Sequence, residues 1–276
     1  MPGEVHEEVA ASIVREIIRQ LDAIASQGGP AAEFAKKIRP CASSTVRFDD
    51  PLFGKHDPDA SFRHWKAKYP GVVIEVSHSQ KKRDLPRLAD DYILGSNSRI
   101  RAVVGIDVNY RGGKMATVSI WRPRVETNTA GENELVAYQA LSDQAFRSED
   151  GNQIDDPQAG LRLRLDDFAA KALAGGISLD EEIFIPAKDL FTYVCEGEDG
   201  AQITRASPCP EDEVIEGFEP GTRKRRRERT PPEELHEDDE KRFQSEEDKA
   251  EERGARSDSS YDDQCEPQPR RKLPRR

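Results

Sequence analysis

The chain has 276 residues, 35% of them hydrophobic and 34% charged, with a formal net charge of −11. That length holds one large or two small domains, and so acidic a balance excludes a protein that coats nucleic acid non-specifically, while leaving room for a local basic groove. Four cysteines (Cys41, Cys195, Cys209, Cys265) without a Cys-x-x-Cys pair exclude a zinc-finger framework, and no apolar run has membrane-spanning or signal-peptide character, so a soluble, intracellular protein with reduced thiols is expected.

In chain order, residues 7–27 predict an amphipathic helix, because Val9, Ile13, Ile17, Leu21 and Ile24 fall on one stripe and Gly28-Gly29-Pro30 stops it. Residues 30–38 predict a second short helix through Phe34 and Ile38. Residues 44–48 have strand composition and are expected to form the first strand of the sheet. A Pro- and Gly-broken loop spans 49–57. The next strands are organised around Pro70-Gly71, a turn pair that launches the β-branched run Val72-Val73-Ile74.

Into that run is set a lone carboxylate, Glu75. Side chains alternate along a strand, so Glu75 faces away from Ile74 and Val76. Buried there alone it would cost several kcal/mol, which implies a cation, a metal or a hydrogen-bond donor beside it. Upstream lies a second carboxylate, Asp59, in Asp57-Pro58-Asp59. A hairpin through 63–69 is expected to set Asp59 and Glu75 side by side. Two such carboxylates make a hard-oxygen site suited to magnesium or manganese, the chemistry of metal-assisted phosphodiester cleavage.

Beyond Glu75, Gln80-Lys81-Lys82-Arg83 is a basic turn. Asp84 then opens a helix as its N-cap, with Leu85, Leu88 and Tyr92 facing the core and Gly95 at its end. Residues 100–110 read as a buried strand. A strand, a helix and another apolar strand form a crossover unit, so these two strands are expected to be parallel. Residues 115–122 return as an alternating strand. Residues 134–146 are irregular or strand, and Leu161, Leu163 and Leu165 alternate with Arg162 and Arg164 as one more strand. Ser77 and His78 are no nucleophile pair, since neighbours on a strand face opposite ways. His56, His64 and His78 are weaker candidates to supplement a metal site.

Pro58-Asp59, then Glu75-Val76-Ser77 after Pro-Gly and an apolar strand, resembles the PD-(D/E)xK nuclease signature. With Asp84, Tyr92 and Val103-Val104-Gly105-Ile106-Asp107 the chain resembles the Uma-type restriction endonucleases in particular, over residues 45–168, and Ala159-Gly160-Leu161-Arg162-Leu163-Arg164-Leu165-Asp166 is similar to that family's closing strand. The resemblance implies an α/β fold of the restriction-endonuclease-like type: a mixed, mainly antiparallel sheet with one parallel crossover, flanked by helices. It implies a Mg2+- or Mn2+-dependent nuclease acting on DNA. Asp59 and Glu75 would hold the ion with the Val76 backbone carbonyl, and Glu16 of the first helix is a further candidate ligand. Lys81 or Arg87 would face the scissile phosphate. The family places a lysine two residues after the glutamate or on the following helix, and here those positions hold Ser77 and Leu88. The alternative is a domain on the same fold that has lost catalysis and serves as a nuclear binding module.

From residue 205 apolar residues nearly vanish, so the folded domain is expected over 1–204 and a disordered charged tail over 205–276. Within the tail, Arg223-Lys224-Arg225-Arg226-Arg227 suits a nuclear import receptor, which makes the nucleus the expected location.

Overall fold

In the computed structural model, which describes residues 2–41, 44–78, 84–109, 113–206 and 242, 245 and 246, the chain divides into two compact units, Met1–Cys209 and Pro210–Arg276. Residues 205 and 206 of the expected disordered tail belong to a helix that ends at Ala206; apart from 242, 245 and 246 the rest of that tail, with its cluster Arg223, Lys224, Arg225, Arg226 and Arg227, lies outside the described residues. The first unit is mixed α/β.

Its first helix, α1 (Pro2–Ser26), lays the apolar stripe Val9, Ile13, Ile17 and Leu21 into the core, followed by α2 (Gly29–Ala35). A six-stranded sheet follows in the order β1 (Ile38–Pro40), β4 (Ala60–His64), β5 (Val72–His78), β6 (Ala102–Val108), β7 (Ala116–Thr127), β8 (Asn133–Arg147). Its neighbours are antiparallel except β5 and β6, which run parallel and are joined by α3 (Leu85–Gly95), as the crossover pattern predicts. Each face has its own core. Val72, Ile74 and Val76 pack on the α1 side, with α5 (Ala187–Ala206) beside it; Val73 packs with Leu85, Tyr92, Ile93 and Trp121 on the α3 side.

Three expectations are corrected. Residues 44–48 do not open the sheet: only Val46–Arg47 is extended (β2), and it pairs with β3 (Lys55–His56) as a separate ribbon. The sheet edge is β1 instead, a stretch whose Ile38 the sequence pattern places at the end of the second helix. That helix stops at Ala35, Ile38 pairs with His64, and Pro40 sits on an edge strand, where a missing N–H is tolerated. The alternating Leu161-Leu163-Leu165 segment does not close the main sheet; β9 (Gly160–Arg164) pairs with β10 (Glu182–Pro186) in a second small sheet. Residues 134–146, for which the sequence leaves irregular structure or strand open, lie in the long edge strand β8. A short helix, α4 (Lys171–Ala174), links β9 to β10. No described helix is long and apolar enough to cross a membrane.

Two close contacts fix the register. At Gly71 a Cβ would stand 2.1 Å from the backbone carbon of Phe168, so only glycine lets the β4–β5 turn pass there. On the far side, Arg147 is 1% exposed and its Nη1 donates to Glu198 of α5 at 2.8 Å. Replacing Glu198 by alanine leaves a buried guanidinium without its counter-charge. The expected cost is about 3 kcal/mol in a urea melt, the low end for such a pair because Glu198 keeps some contact with water.

Candidate functional site

β4 starts at Ala60, which lies opposite Ile74. One residue further, the register puts Asp59 opposite Glu75, and directly opposed residues of an antiparallel pair share a face. The backbone ladder has ended at this point, and the Asp59 carboxylate continues it: Oδ2 accepts the Val76 N–H at 2.7 Å. The hairpin expected from sequence therefore brings the two carboxylates together on the α3 face.

Glu75 finds the donor its position demands. Its Oε1 accepts the Tyr92 hydroxyl at 2.7 Å. Tyr92 is fully buried, and burial, with the Glu75 carboxylate next in effect, pushes its phenol well above the ordinary range. Across the parallel pair Glu75 lies level with Gly105, where a Cβ would come within 2.9 Å of the Trp121 ring and 3.0 Å of Leu85. That missing side chain lets Leu85 settle on the sheet and brings the start of α3 beside the carboxylates.

The result is a cleft of about 440 Å³ where β5 runs on past the end of β4 and α3 begins. Crevices of this kind, beyond the carboxyl ends of parallel strands, are where open α/β sheets bind ligands. Among the described residues, Asp57, Asp59, Glu75, Asp84 and Asp91 line it together with the cation Arg87. His6 of α1 also reaches the cleft, with Nδ1 3.5 Å from Asp59 Oδ1, and His56 Nε2 lies 3.2 Å from Asp91 Oδ2. One level deeper, Ser77 donates to Asp107 Oδ1 at 2.9 Å, both side chains being buried.

Among the residues expected from sequence, Asp59, Glu75, Val76 and Arg87 line this cleft. Lys81 lies outside the described residues. Glu16 is not at the cleft. Its carboxylate accepts Arg19 Nε at 2.7 Å and Gln20 at 2.7 Å, and the Arg19 bond holds its carboxyl below the ordinary range. The helix reaches the cleft through His6 instead, ten residues earlier and so about 15 Å along the axis. Asp84 stands at the start of α3 as expected, but its side chain makes no capping bond and lines the cleft. His64 lies on the opposite face, buried and stacked on Phe34 at 5.3 Å.

Sequence reasoning missed His6, Asp91 and Asp107. For Asp107 a signal was present: a carboxylate in an apolar strand, the same pattern that singled out Glu75. His6 carried none, because the helical stripe says nothing about which residue overhangs a sheet edge.

Among the described residues no three His, Cys, Asp or Glu side chains are gathered as a metal cluster. Magnesium does not require one, since it is commonly held by one or two carboxylates and keeps several waters. The Asp59–Glu75 pair, hard oxygens in a strongly acidic cleft with space for water, fits that ion. Compared with models of known protein families, with curated proteins and with solved structures, the chain matches none.

The Tyr92–Glu75 contact has a pH signature. A phenol whose folded-state pKa is raised stabilises the fold fully below the unfolded value near 10. That stability is lost as pH rises further, because the unfolded chain releases the proton first. Wild type is therefore expected to lose up to about 1.4 kcal/mol per pH unit more than Tyr92→Phe above that point, read from urea melts at increasing pH.

Proposed function

We propose that the first unit is a metal-dependent nuclease domain of the PD-(D/E)xK type, on a restriction-endonuclease-like fold. The observation that carries this reading is the register that sets Asp59 opposite Glu75 at the mouth of an acidic cleft. In it, Asp59 and Glu75 hold a Mg2+ or Mn2+ ion. The Val76 carbonyl is available to help, because in an extended strand it leaves on the same side as the N–H that Asp59 accepts. Bound there, the ion would supply an activated water and neutralise charge on the leaving oxygen of a phosphodiester.

The chain's own groups prepare the site. Tyr92 orients the Glu75 carboxylate, and the Val76 N–H orients that of Asp59, whose other oxygen lies 3.5 Å from His6 Nδ1. Arg87 is the described cation that can meet a phosphate oxygen, and Lys81 is a second candidate from the basic turn.

One observation favours a second reading, a nuclear binding module that has lost catalysis. Neither expected lysine position carries a cation: the Ser77 hydroxyl is bonded to Asp107, and Leu88 is packed against the α3-side core. In this reading Arg223, Lys224, Arg225, Arg226 and Arg227 bring the domain to the nucleus, and replacing the five with alanine should move a fluorescent fusion to the cytoplasm.

Manganese is expected to raise the melting temperature of wild type, by mass action reaching about 2.7 kcal/mol of stabilisation at a hundredfold excess over the dissociation constant. Asp59→Asn and Glu75→Gln should each remove that increment. Cleavage of plasmid DNA by wild type and by neither variant supports the enzyme; stabilisation without cleavage supports the binding module. No stabilisation by manganese or magnesium contradicts the metal site altogether.

A further inference from the structure

Among the stretches of this acidic chain without a carboxylate are residues 34–48, with Lys36, Lys37, Arg39 and Arg47, and residues 60–74, with Arg63, Lys66 and Lys68. The fold pairs them. Arg39 lies opposite Arg63 in the β1–β4 ladder, and the Trp65 N–H donates to the Lys37 carbonyl at 3.0 Å, one step beyond Ile38 and His64. Six of these cations thus lie at or next to one edge of the sheet, and Arg47 of the separate β2–β3 ribbon lines a cavity with Arg63 and Lys68.

Their orientation follows from alternation. Arg39 and Arg63 occupy the same face as Asp59, because every second residue along β4 shares a side and opposed residues do too; Trp65 follows just past the end of β4, its ring 6.5 Å from that of His64. Trp65 is 59% exposed, and Lys66 Nζ lies 5.0 Å from its ring centre. Lys36 and Lys68 have acidic partners in Glu33 and Asp49, whereas Lys37, Arg47, Arg63 and Lys66 form no ion pair among the described residues. The local potential registers on His64: burial first, then Lys37 and Lys66, keep its imidazole below the ordinary range. Between this edge and the acidic cleft a small cavity of about 100 Å³, lined by Arg47, Ser61, Arg63 and Lys68, continues the path. Along β4, Asp59 and Trp65 are six residues apart, which is about 20 Å of extended chain.

A row of cations, four of them without an ion pair among the described residues, beside an exposed indole is the combination that holds an extended polyanion with accessible rings. Phosphates meet the cations and a splayed base stacks on the aromatic face. We infer that the β1–β4 edge is a docking strip for single-stranded nucleic acid, with one unstacked base on Trp65 and the backbone running over Arg39, Arg63 and Arg47 toward the Asp59–Glu75 cleft. A base paired within a duplex cannot offer its face to Trp65, so the strip selects single strands. The strip stands on its own charges; only its role as a guide for substrate rests on the nuclease reading.

The test uses the full-length chain and labelled oligothymidylate in the presence of a chelator, so that binding is read whether or not the protein cleaves. The oligonucleotide should quench tryptophan emission, and Trp65→Ala should abolish the quench because the remaining Trp121 is buried. Affinity should fall about tenfold for Trp65→Ala and only slightly for Trp65→Phe, which keeps a stacking ring. In the double variant Arg39→Ser/Arg63→Ser the slope of log affinity against log salt should shrink by roughly 1.4, at about 0.7 per lost phosphate contact on a single strand. Unchanged melting temperatures would show that these exposed substitutions leave the fold intact. The proposal is overturned if no quench occurs, if a duplex binds and quenches equally, if polyglutamate binds as tightly, or if Ala and Phe at position 65 weaken binding alike.

Discussion

The pairing of β4 with β5 is the constraint on which the remaining geometry turns. Side chains alternate strictly, so a slip of one residue would carry Glu75 into the apolar layer under α1 and turn Ile74 and Val76 outward. Gly71 prevents the slip from one end, because its Cα is pressed against the backbone of Phe168 and admits no side chain. At the other end β4 stops at Ala60, and the Asp59 carboxylate binds the backbone N–H that a further β4 residue would have met. The two carboxylates are brought together by strand register rather than by loop conformation. That is a rigid way to hold a pair of like charges close.

The same register distributes charge. One face of β4 carries Asp59 at its start and Arg63 at its end, with Ser61 between. Among the described residues the cleft beyond the start is lined by five carboxylic acids, and residues 34–48 and 60–74 at the other end contain none. In a chain of net charge −11 this separation amounts to a field along one strand, negative where a cation would bind and positive where a polyanion would. Summed composition hides such a field, because binding depends on where the charges sit.

How far the sequence could be read depended on how local the signal was. The α1 stripe, the apolar β5 and β6 runs and the crossover between them are periodic or continuous patterns, and their pairing followed from elementary topology. So did the juxtaposition of Asp59 and Glu75, since a Pro-Gly turn and a short hairpin leave little choice. The peripheral pieces were not legible. Phe34 and Ile38 have helical spacing, yet Ile38 belongs to the edge strand because its backbone is satisfied by His64 and its side chain is buried there. The alternation of Leu161 and Leu163 marks a strand, but nothing in it specifies β10 as its partner rather than the main sheet. Glu16 has a carboxylate on the correct helix, and it was lost to Arg19 one turn away, a contact that local spacing allows and long-range geometry had to decide against. His6 and Asp91 enter the cleft through tertiary packing alone.

The central claim is that Asp59 and Glu75 form one cation site. It is tested most directly by anomalous diffraction from crystals of the full-length protein soaked in manganese. The account predicts an anomalous peak between the two carboxylates, with Tyr92 still bonded to Glu75. A lysine or arginine side chain filling that gap, with manganese bound elsewhere or not at all, would contradict it.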